Sequence, residues 1–123
     1  MKRFLTSMAV VCLVAAAFAA DTKSNDTFTG EISDSQCALN VHSTKGGHEE
    51  MLKGGMTGKT NADCVRFCVD NMGGKYVLAS KSAVYRLDDA KKVAPFAGQK
   101  VVVHGALDKK TNTIAVASID TAK

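Results

Sequence analysis

The 123-residue sequence contains no tryptophan, and only 6% of its residues are aromatic. After the first nineteen residues, the aromatic side chains that remain are Phe28, Phe67, Tyr76, Tyr85 and Phe96. Proteins that bind single-stranded nucleic acids stack the bases on such rings, and we expect Phe28, Tyr76 and Phe96 to be in the core instead. Removing Lys2 and Arg3 leaves 14 basic and 12 acidic residues. This balance argues against nucleic acid or an anionic membrane as the partner.

Several catalytic and membrane signatures are also missing. No hydrophobic run after Ala20 is long enough to cross a bilayer, so we expect no stable membrane insertion. The sequence has no phosphate-binding loop, no CxxCH, no HExxH, no CxxC and no Ser–His–Asp signature. We therefore expect a protein that is not an enzyme, and no residue is assigned a catalytic role.

The N-terminus has the pattern of a signal peptide. A basic start is followed by an apolar run from Met8 to Ala20, and Ala17-Phe18-Ala19 fits a small-x-small cleavage motif. The sequence predicts a signal peptide over residues 1–19, cleaved after Ala19, and a periplasmic or extracellular protein. Residues 20–26 are predicted to be disordered, and residues 27–120 to form one small domain.

The domain is predicted to be mainly β, in the α+β class. Alternating apolar residues and turn signals predict strands over residues 28–33, 76–79, 83–87, 100–107 and 113–119. Five short strands in so few residues favour a small closed barrel of the OB type. One helix would be inserted between strands 1 and 2. A small β-sandwich with a docked helix is the alternative.

Residues 34–74 form the predicted loop-helix insertion. Thr60 or Asn61 can cap a helix, and Asp63 in its first turn is favoured by the helix dipole. An apolar stripe follows at positions i, i+3, i+4 and i+7, formed by Val65, Cys68, Val69 and Met72. Cys64 lies at the edge of this stripe. The preceding loop has no clear period, apart from one helical turn predicted over residues 49–53.

The insertion contains the residues that can bind a metal. The candidate ligands are Cys37, His42, His48, Cys64 and Cys68. Thiolate and imidazole suit Zn(II) and Cu(I), and three thiolates with one imidazole would form a closed tetrahedral site. Met51 and Met56 add thioethers, which bind Cu(I) but hardly bind Zn(II). The expected cofactor is therefore copper or zinc.

A disulfide is the competing interpretation of the same cysteines. Export implies an oxidising compartment, and Cys37 can pair with Cys64 or with Cys68. The loop closed in this way has about thirty residues, which corresponds to roughly 3–4 kcal/mol of stabilisation. Cys64 and Cys68 are poorly placed to pair with each other on one helix. A thiol oxidoreductase would instead need an exposed, low-pKa thiol at the helix start, most plausibly Cys64.

The motifs also resemble those of a known group of proteins. They are Asp34-Ser35-x-Cys37, Asn40-x-His42-Ser43, His48-x-x-Met51, Cys64-x3-Cys68, Gly73-Gly74-x-Tyr76-Val77-Leu78 and Phe96-x-Gly98-Gln99-x-Val101-x-Val103-x-Gly105. This combination resembles a family of small exported bacterial proteins of unknown function. The resemblance implies that the three cysteines and two histidines belong to one recurring pattern, and it supplies no activity.

Three functions follow as expectations. The first is a non-enzymatic protein of the cell envelope that binds Cu(I) or Zn(II) through the Cys/His residues. The second is a disulfide-stapled OB-like binding module without a metal, whose partner is an envelope protein or a glycan. The third is a thiol redox protein.

Overall fold

The computed structural model describes residues 25–39 and 48–123. In chain order, the elements are β1 (Asp26–Asp34), α1 (Ser35–Ala38), α2 (His48–Lys53), α3 (Asn61–Asn71), β2 (Tyr76–Ala79), β3 (Val84–Leu87), α4 (Ala90–Val93), a 3-10 helix (Ala94–Phe96), β4 (Lys100–Asp108) and β5 (Thr113–Thr121). The predicted signal peptide and the predicted tail up to residue 24 lie outside the described residues, and so does His42.

The five strands form one mixed sheet that closes in a ring. Their order around the ring is β1-β2-β3-β5-β4, and β4 pairs again with β1. All neighbours are antiparallel except β3 and β5, which run parallel. The predicted α+β class and five strands are confirmed. The described residues between β1 and β2 contain three short helices: α3 corresponds to the predicted helix, α2 covers the helical turn predicted over residues 49–53, and α1 was not predicted. The separate sheets of the alternative sandwich are not formed by the described strands.

Strand β1 connects the sheet core to the helices. Its first half pairs with β4 and its second half with β2, where Ile32 lies opposite Leu78. The core inside the ring consists of Ile32, Leu78, Val93, Val101, Val103, Ile114 and Val116. Because successive side chains of a strand point to opposite faces, Glu31 and Ser33 point away from this core. On that outer side α3 contacts β1, and α2 packs against α3.

Helix α3 begins at Asn61 with Thr60 as its cap, as predicted, and Val65 and Cys68 of the predicted apolar stripe are buried. Cys64 is also 0% exposed, whereas Met72, expected in the stripe, is 37% exposed. Met72 lies at the C-cap, beyond the last residue of α3, so the helix ends before the stripe does. Cys64 belongs to the centre of the buried face and not to its edge.

Candidate metal centre

Helix α3 is fixed at its start by a capping box. Thr60 Oγ1 accepts a hydrogen bond from the Asp63 amide at 3.1 Å, and Asp63 Oδ2 accepts from the Thr60 and Lys59 amides at 3.0 Å each. These hydrogen bonds stabilise the carboxylate and lower the pKa of Asp63. Because the helix begins at a defined residue, Cys64 and Cys68 are held one turn apart on its buried side.

Cys37 is positioned by a second cap. Asp34, at the end of β1, is 0% exposed, and its Oδ1 accepts from the amides of Gln36 and Cys37 at 2.9 Å each. This starts the short helix α1, which is tied to the chain before β2 by a hydrogen bond from the Ser35 amide to the Lys75 carbonyl at 2.8 Å. Cys37 therefore has a fixed place beside β1.

The folded chain brings the Cys37 sulfur next to the sulfurs of α3. Cys37 Sγ lies 3.9 Å from Cys64 Sγ, whereas the sulfurs of a disulfide are about 2.05 Å apart. The three described cysteines are free thiols, with Cys37 partly buried and the other two buried. The expected disulfide from Cys37 to Cys64 or Cys68 is thus not at bonding distance in this structure.

Within the described part of the chain, two groups of side chains could hold a metal ion, and within each group the ligand atoms lie within 4.8 Å of one another. The first, which we name the His48 group, consists of Cys37, His48 and Cys64. The second, the Asp34 group, consists of Asp34, Cys37 and Cys68. Cys37 belongs to both. His42 lies outside the described residues, and Met56, a candidate thioether ligand for Cu(I), is 76% exposed.

The imidazole of His48 is oriented by β1. Its Nε2 lies 3.1 Å from Ser33 Oγ and 3.3 Å from Glu31 Oε1. The hydrogen bond to Glu31 outweighs the effect of burial and raises the pKa of His48 to about 9. A carboxylate on one ring nitrogen is the usual outer partner of a metal-binding histidine, because it fixes the ring and leaves the other nitrogen as the ligand.

Two buried atoms of these groups have no hydrogen-bond partner. Among the described residues, the buried side-chain nitrogen and oxygen atoms without a partner are His48 Nδ1, Asp34 Oδ2 and Thr57 Oγ1. A buried polar atom without a partner costs roughly 1–3 kcal/mol, so folded proteins rarely leave one unsatisfied. The first two belong to side chains of the two candidate groups, one in each, and a cation bound in each group would satisfy them.

The pKa values of the thiols depend on their buried, negatively charged surroundings. Burial, followed by the negative charge of Asp34, raises the pKa of Cys37 well above its usual range and that of Cys68 to about 11. Thiolates are therefore disfavoured at these positions unless a cation is present. A reactive thiol needs a lowered pKa, so Cys37 and Cys68 do not have the electrostatic environment of a reactive thiol.

A cavity gives access to the His48 group. It has a volume of about 400 Å³ and is lined partly by Cys37, His48, Ser33 and Glu31. An ion can reach the two side chains through this opening without unfolding the domain, and an entry path is one requirement of a metal site.

Sequence reasoning missed Asp34, Glu31 and Ser33. For Asp34 a local signal does exist, because Asp followed three residues later by Cys is the spacing of an N-cap that fixes that cysteine. Glu31 and Ser33 alternate with Ile32 on β1, which could have placed them on the outer face of the sheet. Their contact with His48 joins segments separated by a loop, and no local sequence signal predicts it.

Comparisons with protein-family models, curated proteins and solved structures found no match for this chain. Within residues 25–39 and 48–123, no helix has the length and apolar character needed to span a bilayer. The function is therefore argued from the geometry of the two groups.

Proposed function

We propose that this protein is a non-enzymatic, exported metal-binding protein of the bacterial cell envelope, which holds Zn(II) or Cu(I) through Cys37, His48 and Cys64. The observation that carries the proposal is the buried, unpartnered Nδ1 of His48 in a group with two sulfurs. Imidazole and thiolate together suit Zn(II) and Cu(I) better than harder cations such as Mg(II) or Ca(II). The role would be buffering or delivery of the ion.

The scaffold of this site is proposed to be a variant of the OB-type barrel. The ring order β1-β2-β3-β5-β4, with β1 paired to both β2 and β4, supports this proposal, since a small five-stranded Greek-key barrel closes in this way. The insertion between β1 and β2 then rests on the outside of the barrel. Export is proposed from the basic, apolar start of the sequence.

Metal analysis of the reduced protein tests the function directly. The chain without residues 1–19 is purified without an affinity tag, reduced, loaded separately with Zn(II) and with Cu(I), and desalted. We expect at least one equivalent of ion to remain bound, as measured by elemental analysis and native mass spectrometry. Protein that retains neither ion would contradict the proposal.

A second candidate function is a binding module for a glycan. It is favoured by a groove of about 790 Å³ beside β1 and the β2–β3 turn, where the rings of Phe28 and Tyr85 lie 5.3 Å apart. Lys81 and Lys100 also line this groove. A native protein that is two hydrogens lighter than the reduced chain, with one free thiol and no metal, would favour this function over metal binding.

Replacing Glu31 by glutamine is expected to weaken the pH-independent zinc affinity about tenfold. The change removes the carboxylate charge that orients the His48 ring through Nε2, and loss of such outer partners costs about 10–100-fold in metal affinity. Competition with a chromophoric chelator measures the effect. Because Glu31 also raises the pKa of His48, proton competition is removed by extrapolating the affinity from measurements at several pH values. Glu50→Gln is the matched control, because it removes the same charge from an exposed position of α2, where Glu50 pairs with Lys53. Equal losses in the two variants would contradict a role for Glu31 in orienting His48.

Zinc binding is also expected to weaken in more acidic solution. In the metal-free protein the pKa of His48 is about 9 and that of Cys37 is higher than usual, so both side chains carry a proton at neutral pH. Binding must release these protons, and a fall of one pH unit should raise the dissociation constant at least about 100-fold. Chelator competition at pH 6.5 and 7.5 measures the change. Affinity that does not depend on pH would rule out these two ligands.

A further inference from the structure

We propose that the cluster binds two divalent ions, with the sulfur of Cys37 bridging an ion in the His48 group and a second ion in the Asp34 group. This inference rests on the proposed function and extends it, because a single zinc ion needs only four donors. The structure offers five, namely Asp34, Cys37, His48, Cys64 and Cys68.

The other four donors fall into two groups that share Cys37. Positions i and i+4 of a helix are about 5–6 Å apart at Cβ, and the Cys37 sulfur is grouped separately with Cys64 and with Cys68. His48 belongs to the Cys64 side and Asp34 to the Cys68 side. Each side thus has its own thiol and its own second ligand, and the two sides share one sulfur.

Charge balance favours a second divalent ion. Three thiolates, the Asp34 carboxylate and a neutral imidazole carry four negative charges in a largely buried cluster. One divalent ion compensates two of these charges, whereas two divalent ions compensate all four. An uncompensated buried charge is costly. The state in which all three cysteines are thiolates is therefore favoured when both ions are bound.

Asp34 is suited to hold the second ion. Its Oδ1 is engaged with the two amides of the α1 cap, while its Oδ2 is buried and has no partner. One oxygen therefore fixes the side chain and the other is free for a cation. A carboxylate ligand suits Zn(II), whereas Cu(I) prefers softer donors. The second ion is therefore expected to be Zn(II), with Cd(II) as a spectroscopic substitute.

The test is the number of ions per chain in the reduced, full-length mature protein. Native mass spectrometry after titration with Zn(II) is expected to show two ions for the unchanged chain and one for Asp34→Asn and for Cys68→Ala. Asparagine also caps helices well, so Asp34→Asn preserves α1. Asp70→Asn, an exposed change on α3, is the matched control and should retain two ions.

The possible outcomes separate this inference from the proposed function. A chain that saturates at one ion would overturn the second site and leave the His48 group intact, whereas a chain that binds none would overturn both. Two ions in every variant would place the second ion elsewhere and also overturn the inference. Cadmium-113 NMR of the unchanged chain gives an answer that needs no variant: two resonances coupled through a shared sulfur are expected, and two uncoupled resonances would contradict the bridge.

Discussion

Cys37→Ala is expected to abolish tight zinc binding, with an affinity loss greater than about 100-fold. Cys37 is the one residue shared by both metal-binding groups, so its loss leaves only His48 with Cys64 on one side and Asp34 with Cys68 on the other. Removing a group that only hydrogen-bonds to a metal ligand already lowers metal affinity about 10–100-fold. Removing a ligand that both groups share should lower it more. Competition with a chromophoric chelator measures the change.

The matched control for this prediction is Met56→Leu. It removes another sulfur from the same insertion, but Met56 is 76% exposed and thioethers hardly bind Zn(II), so the zinc affinity of this variant should equal that of the unchanged chain. Circular dichroism checks that both variants are folded. Folded Cys37→Ala protein that binds zinc within about threefold of the unchanged chain, a difference of less than 1 kcal/mol, would show that the ion is held elsewhere.

The part of the site on α3 could be predicted from the sequence because its signals are local. Thr60 and Asp63 form a capping pattern within four residues, and the thiols follow at a spacing that places both on one side of a helix. The approach of Cys37 to that helix was a supposition about tertiary structure, and the 3.9 Å between the Cys37 and Cys64 sulfurs agrees with it. The local helix pattern, together with one supposed long-range contact, was therefore sufficient to predict that the sulfurs lie close together.

The remaining features depend on contacts that the sequence does not encode locally. The parallel pairing of β3 with β5 closes the ring, and it joins strands separated by a whole helical connection and by β4. Asp34 has the sequence signature of any capping residue. Its second oxygen becomes a candidate ligand only because β1 and the helices bury it without a partner. Burial of a single atom is a property of the packed fold and not of the residue type.

The exposure of Met72 and the burial of Cys64 have the same origin. Val69 and Met72 complete an apolar stripe in the sequence, yet Met72 is 37% exposed and Cys64 is fully covered. The orientation of a short helix is set by the surface on which it packs, and here that surface includes the backbone at Gly98. An added Cβ at Gly98 would lie 2.5 Å from the Ala62 nitrogen, so the helix start rests directly on the chain that leads into β4.

Gly98→Ala is therefore expected to destabilise the fold by about 2–5 kcal/mol, since overpacking costs about 1–3 kcal/mol and a left-handed backbone at alanine costs about 1–2 kcal/mol. Gly98 has a φ of +73°, and its new Cβ would meet backbone atoms of Asn61 and Ala62, which no side-chain rotation can relieve. The Gly98 amide also donates to the Ile32 carbonyl at 2.8 Å, so the sheet limits movement on the other side. Urea denaturation measures the loss.

Gly55→Ala separates the two causes of this destabilisation. Gly55 has the same φ of +73° but no atom within 4 Å of an added Cβ, so this variant should lose only the backbone contribution of about 1–2 kcal/mol. Because displacement of α3 would move both of its thiols away from Cys37, Gly98→Ala should also weaken zinc binding, while Gly55→Ala should not. Equal stability losses in the two variants, with zinc affinity unchanged in both, would mean that contact between α3 and Gly98 does not hold the helix thiols beside Cys37.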